Sequence, residues 1–141
     1  MQKRPKPKDR AFISDEPVRN ACLDGKEGFI IKVRLTSYRA LPLSCIEDIS
    51  LSVDGRSISK DDMTFILNGE RHALSDLAKL SHVWWWILDY AELFVASVGG
   101  LASGNHEIEG MLVTVEPYIT AGRFSFFNSS KKQLAVAEVV S

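Results

Sequence analysis

The sequence has few cysteines and almost no net charge. Cys22 and Cys45 are the only cysteines among 141 residues, too few for a disulfide framework or a tetrahedral zinc site, and they fit a reducing cytoplasm. Seventeen basic side chains against eighteen acidic ones give a formal charge of −1. Because no overall field favours nucleic acid or an anionic membrane, partner recognition must come from local surfaces.

The chain also lacks an apolar run free of carboxylates. Its most apolar stretch, residues 83–102, contains Asp89, Glu92 and the Gly99-Gly100 pair. A central Asp costs about 3 kcal/mol on membrane insertion, so we predict a buried strand pair there and no membrane helix. The first ten residues, MQKRPKPKDR, lead into no apolar stretch of the kind found in secretory signals. We predict a flexible tail over residues 1–20, one domain over residues 21–141 and a cytoplasmic location.

Alternation of apolar and polar residues dominates what is present. In GFIIKVRLTSY, residues Phe29, Ile31, Val33 and Leu35 would face one way, and residues 46–53 repeat the pattern. Asp54-Gly55 and Asn68-Gly69, the latter after a strand over residues 63–67, are strong hairpin signals. Further strands are predicted at residues 85–87, 92–96, 106–115, 123–127 and 134–139.

Only residues 75–80 favour a helix, with Ser75 placed to cap it. About eight strands and one short helix predict an all-β, single-domain antiparallel β-sandwich, like a jelly roll. In such a fold the apolar faces cover each other.

Groups with catalytic potential are sparse. His72, His82 and His106 form no sequence pair that would bring two imidazoles to one metal, although they could converge in space. The glycine-rich residues 99–104 lack the Lys-Ser/Thr of a phosphate loop, and a connecting loop is the simpler interpretation. Adjacent acidic residues lie beside predicted turns, where both members are usually solvated. We therefore assign no catalytic residue and no metal ligand to this chain.

Two segments are candidates for binding. In a strand, Trp85 would face opposite to Trp84 and Trp86, so the rings either divide between core and sheet edge or present an aromatic surface to a partner, a sugar or a flat ring. The segment around Pro42 either tucks its leucines under the sandwich or forms a rigid loop for another chain. The residues predicted at a partner interface or next to substrate are Tyr38, Arg39, Leu41, Pro42, Trp84, Trp85 and Trp86.

The order of these motifs resembles a known family. The run VRLTSYRALPLSCIEDISLSVDG is similar to the opening of C-glycoside deglycosidase β subunits. The strand at Met63, its Asn68-Gly69 turn, the helix after Leu74, the tryptophan run and GGLASGNHEIE follow in the family's order, over roughly residues 28–118. Two features depart from the pattern: Ala40 stands where the family has glycine in Y-R-G-L-P, and three consecutive tryptophans exceed the usual aromatic content.

The resemblance implies an accessory β subunit in a hetero-oligomer with a larger TIM-barrel α subunit of the sugar isomerase and epimerase type. That partner is expected to hold the divalent metal, manganese or magnesium, and the acid/base residues, with no cofactor in this chain. The implied substrate is a 3-oxo C-glycoside of a flavonoid or related polyphenol. A C–C glycosidic bond has no leaving oxygen to protonate, so two-carboxylate hydrolysis cannot cleave it. The C3 ketone acidifies the C2 hydrogen, and a metal can stabilise the enediolate formed when a base removes it.

Two rival hypotheses remain open. A β-sandwich with exposed tryptophan is also typical of a stand-alone carbohydrate-binding module. An independent small lyase or isomerase would instead use the histidines and acidic residues directly.

Overall fold

The chain folds into antiparallel strands. The computed structural model describes residues 11–37, 40–118 and 122–136, with the backbone alone for residues 116–118 and 122–124. Within these ranges lie three short 3₁₀ helices, Leu43–Cys45, Lys60–Asp62 and Leu74–Lys79. The strands are β1 Arg19–Leu23, β2 Lys26–Arg34, β3 Leu41–Pro42, β4 Ile46–Val53, β5 Arg56–Ser57, β6 Met63–Leu67, β7 Glu70–Ala73, β8 Trp84–Trp85, β9 Tyr90–Ala96, β10 Asn105–Tyr118 and β11 Gly122–Ala135.

Two larger sheets enclose the core. One has the strand order β1-β2-β9-β6-β7 and the other β11-β10-β4-β5, while β3 and β8 form a separate two-stranded piece. Alternating residues of both sheets, among them Phe29 and Val33 of β2 and Ile49 and Leu51 of β4, belong to one buried cluster. This confirms the all-β, sandwich-like single domain, since each sheet buries the apolar face that its sequence alternation defines.

The predicted hairpin turns are confirmed by their backbone angles. Asp54 and Gly55 have φ values of 51° and 82°, and Asn68 and Gly69 have values of 52° and 83°. Two successive residues with positive φ match the two-residue turn whose twist suits an antiparallel pair. These turns join β4 to β5 and β6 to β7.

The predicted tail over residues 1–20 needs correction in its second half. Phe12, Ile13 and Val18 are completely buried, and Ile13 forms a bridge with Val33. Gly110 of β10 leaves room for this segment, because a Cβ there would lie 2.8 Å from Cδ1 of Ile13. The packed domain therefore includes residues before 21, and residues 1–10 lie outside the described ranges.

Several element predictions also change. The helical piece is a 3₁₀ helix that follows Ala73 with no side-chain cap, so Ser75 is not its cap. In place of the strand predicted at residues 85–87, the structure has the two-residue strand Trp84–Trp85. The strands predicted at 123–127 and 134–139 form one strand, β11, because it pairs with β10 along its whole length; residues 137–139 lie outside the described ranges.

Residues 83–102 contain β8, β9 and connecting turns. The predicted buried strand pair is therefore one long strand and one short strand that belong to different sheets. In the described part of the chain, no helix has the length and hydropathy needed to cross a bilayer.

Candidate functional site

The two segments singled out in the sequence come together in the structure. β3 and β8 pair antiparallel, with Leu41 opposite Trp85 and Pro42 opposite Trp84. The backbone N–H of Leu43 extends this contact by donating to the carbonyl oxygen of Val83 at 2.8 Å. The remaining candidates, Tyr38 and Arg39, lie outside the described residues.

Trp85 is a core residue. Its side chain is 0% exposed, and its ring meets Phe65 edge-on with 5.3 Å between the centroids. The indole Nε1 donates a hydrogen bond to the carbonyl oxygen of Asp89 at 2.8 Å, so the buried polar atom is satisfied. Leu41 is also buried. The prediction that these two residues face a partner or a substrate is therefore wrong: they fix the segment that carries their neighbours.

The outer tryptophans lie on the surface. Trp84 is 45% exposed and Trp86 is 58% exposed, and their rings stack with centroids 6.2 Å apart and planes 29° apart. The side chain of Leu88 is 88% exposed. We call the exposed group formed by Trp84, Trp86, Ile87, Leu88 and Tyr90 the tryptophan patch.

A turn holds the tryptophan patch in place. The N–H of Asp89 donates to the carbonyl oxygen of Trp86 at 2.9 Å, while Trp85 binds the carbonyl oxygen of the same Asp89. The sequence does not reveal Leu88 and Tyr90 as surface residues, because both stand in an apolar run that predicts buried strands. A large exposed apolar group rimmed by polar side chains is typical of an interaction site.

Arg34 lies at the border of the tryptophan patch, beside Tyr90. They are the last residue of β2 and the first of β9, and they face each other in the sheet register. Nη2 of Arg34 donates to the hydroxyl of Tyr90, and the guanidinium carbon lies 4.7 Å from the centroid of the Tyr90 ring. With Ile87, Leu88 and Asp89 they line a depression of about 180 Å³.

A second cleft, of about 280 Å³, lies between β4 and the Leu74–Lys79 helix. Of its acidic side chains, Asp48 is paired with Lys60, and Glu47 accepts a hydrogen bond from Ser125 at 3.0 Å. Across the described ranges, no three His, Cys, Asp or Glu side chains gather closely enough to hold a metal ion.

His106 is held at both ring nitrogens. Nδ1 lies 2.6 Å from a carboxylate oxygen of Asp54, and Nε2 lies 2.7 Å from the carbonyl oxygen of Ala102. Because both neighbours accept hydrogen bonds, both contacts form together only with the doubly protonated ring. These hydrogen bonds, the one with Asp54 foremost, raise the pKa of His106. The pKa of Asp54 is lowered, first by its hydrogen bond with His106 and next by the hydrogen bond that it accepts from the N–H of Glu107.

This pair predicts a pH-dependent stability. A raised pKa of His106 gives stability that is complete below its ordinary value of 6.5 and is lost as the pH rises through the folded-state value. A lowered pKa of Asp54 gives stability that is lost only as the pH falls through a value below 3.8. Urea unfolding between about pH 5 and pH 9 should show the difference between the wild-type chain and His106→Gln shrinking as the pH rises.

The exposed His82→Gln variant is the matched control for that series, because the described residues give the His82 imidazole no contacts like the two that hold His106. It should follow the wild-type curve throughout. A wild-type advantage over His106→Gln that stays constant across the range would contradict the prediction.

Comparison with known proteins connects this architecture to a family. The model of the family described as C-glycoside deglycosidase beta subunit matches residues 8–118. The chain belongs to this family. The matched region contains β1 to β10, the tryptophan patch and Arg34, and it leaves out β11.

Curated relatives carry the same description. A "3'-dehydrocarminate deglycosidase beta subunit" from Microbacterium sp is 29% identical over 126 residues, which span 88% of this chain and 95% of the relative. A "C-glycoside deglycosidase beta subunit" from Arthrobacter globiformis is 31% identical over 109 residues, 77% of this chain and 83% of the relative. One from Eubacterium cellulosolvens is 38% identical over 82 residues, 58% of this chain and 56% of the relative. As a beta subunit of a deglycosidase, this chain is expected to act in a complex with another subunit.

Proposed function

We propose that this chain is the accessory subunit of a cytoplasmic, metal-dependent C-glycoside deglycosidase, and that it binds a catalytic TIM-barrel subunit through the tryptophan patch. The observation that carries the proposal is the family match over residues 8–118, which contains the whole patch. Tryptophan and tyrosine are enriched at the centres of interfaces, where they bury large areas with little loss of side-chain freedom. Trp84, Trp86 and Tyr90 fit that description, whereas Trp85 supports them from the core.

The proposed reaction is the cleavage of a 3-oxo C-glycoside by elimination. A base removes the proton from C2 of the sugar, whose acidity the C3 ketone raises, and leaves an enolate. The C3 carbonyl re-forms, the electron pair makes a C1–C2 double bond, and the C1–aglycone bond breaks as the aglycone carbon takes up a proton. A flavonoid or related polyphenol is the expected aglycone. One relative's name specifies a 3'-dehydro compound, which supports a keto-sugar substrate here.

The metal ligands and the acid/base residues are assigned to the partner subunit. The described residues bring together no set of metal ligands, so they do not fit the expected manganese or magnesium. Its proposed contribution is to complete or stabilise the partner's substrate-binding region.

Co-expression with a candidate TIM-barrel α subunit, sought among the proteins of its own gene neighbourhood, tests this function. We expect a stable complex in size-exclusion chromatography and cleavage of a 3-oxo C-glucoside only when both chains are present, with activity lost on EDTA treatment and restored by manganese or magnesium. A chain that elutes alone and leaves the partner's activity unchanged would refute the proposal.

The exposed pair Trp84 and Trp86 supports one alternative, a stand-alone carbohydrate-binding module, because sugar faces stack on aromatic rings. Calorimetric titration of the isolated chain with glucose and with a C-glucoside separates the two functions. Binding by the isolated chain without any effect on the partner would favour the alternative.

A further inference from the structure

Arg34 borders the tryptophan patch without a carboxylate partner among the described residues. Its hydrogen bond goes to the Tyr90 hydroxyl, and its Nε is buried without a hydrogen-bond acceptor. Asp15 and Glu16 line a second depression beside Arg34, but among the described residues neither forms an ion pair with it.

Three other cations of the domain are already paired. Arg19 lies 3.3 Å from Glu92, Lys32 lies 3.6 Å from Glu16, and Lys132 lies 2.6 Å from Asp15. Asp89 lines the depression beside Arg34 but forms no ion pair with it, and one of its carboxylate oxygens lies 3.5 Å from the amide nitrogen of Asn68. Arg34, unlike these three cations, makes no ion pair with any described residue.

Aromatic and apolar side chains surround Arg34 on the side that faces the tryptophan patch. The Tyr90 ring lies against the guanidinium, with Lys32 Nζ 5.4 Å from the ring centroid, so two cations flank one tyrosine. A guanidinium held by an aromatic ring loses little freedom when it binds a planar carboxylate. On the other side of the depression lie the apolar side chains of Ile87 and Leu88.

We propose that Arg34 binds an Asp or Glu side chain of the partner subunit, carried on a segment whose apolar residues cover the tryptophan patch. The proposal rests on the proposed function, because it requires the partner subunit, and it adds the chemistry of the contact. Arginine, tyrosine and tryptophan are the residue types most enriched at binding hot spots, and here Arg34 contacts Tyr90, which is exposed like Trp84 and Trp86.

A second copy of this chain fits the same surface poorly. In a two-fold symmetric contact the same residues meet on both sides, so two Arg34 guanidinium groups would enter one small interface in which Asp89 is the one carboxylate that lines the depression. A partner with a carboxylate supplies the complementary charge, which favours a heteromeric contact here.

Affinity measurements with the purified TIM-barrel partner test this contact. Arg34→Gln should weaken binding at least about tenfold and flatten its dependence on salt, because a charge-assisted hydrogen bond and its screening are lost together. Arg34→Lys should recover part of the affinity. The matched control is Arg71→Gln, since Arg71 already pairs with Asp24 at 2.7 Å, and it should bind like the wild type.

Carbodiimide cross-linking gives a second readout that does not depend on affinity. In the complex, the amine of the Arg34→Lys variant should form an amide with a partner Asp or Glu, detectable by mass spectrometry and absent from the wild type at position 34. Cross-links to a second copy of this chain, or wild-type affinity and salt dependence in Arg34→Gln, would overturn the inference while leaving the proposed function standing. Failure of the wild-type chain to bind the partner would overturn both.

Discussion

Replacing Trp85 with alanine is expected to lower the free energy of unfolding by about 3–5 kcal/mol, the usual cost of removing a large aromatic side chain from a core. The ring is completely buried against Phe65, and its indole N–H satisfies the carbonyl oxygen of Asp89. The substitution would leave a cavity beneath β8 and an unpaired acceptor at the turn. Urea denaturation followed by far-UV circular dichroism measures the loss.

The neighbouring Trp84→Ala is the matched control. It removes an identical side chain one residue away, but from a half-exposed position, and should cost no more than about 1 kcal/mol. Trp85→Phe should retain part of the stability, because a smaller ring still fills some of the site. Equal losses from Trp84→Ala and Trp85→Ala would contradict the assignment of one buried and two exposed rings.

Much of the fold could be predicted because its signals are local. Alternation of side chains over neighbouring residues defines β2 and β4, and the Asp-Gly and Asn-Gly pairs carry the positive φ angles of their turns within two residues. The same alternation predicted that Trp85 faces opposite to Trp84 and Trp86. Such patterns need no knowledge of the rest of the chain.

Contacts between distant residues could not be predicted from these patterns. Nothing in the sequence near Phe12 and Ile13 indicates that they pack into the core, because this depends on the space that Gly110 leaves about a hundred residues later. Likewise, Leu88 stands in an apolar run that a strand would bury, but it lies in the turn closed by the Asp89 N–H and is exposed there. That Arg34 has no ion-pair partner among the described residues can be recognised only from the positions of the neighbouring carboxylates.

Within the three tryptophans, Trp85 stabilises the fold, while Trp84 and Trp86 are exposed and available for binding. Trp85 connects the β3–β8 pair to the core, and the same pairing holds Pro42 opposite Trp84 at the surface. A rigid backbone beneath exposed rings reduces the entropy lost on binding, because the rings are already placed. We therefore expect Trp85 variants to affect binding only through folding, and Trp84 and Trp86 variants to affect binding directly.

The double variant Trp84→Ala/Trp86→Ala is expected to weaken binding to the TIM-barrel partner by at least about 30-fold, which corresponds to about 2 kcal/mol. Its stability should fall by much less than that of Trp85→Ala. Because the two rings stack on each other, the single variants should not add up to the double variant. Titration by calorimetry, with both chains purified separately, gives all four affinities of this cycle.

Phe127→Ala is the control for the double variant, because Phe127 is an exposed aromatic residue on β11, outside the tryptophan patch and outside the family match. Loss of partner affinity in the tryptophan variant alone would support the patch as the interface. Equal losses in both variants would contradict a contact confined to the patch. If the tryptophan variant bound the partner normally but lost affinity for a C-glucoside, the rings would form a sugar platform, because stacking on a sugar needs no second protein chain.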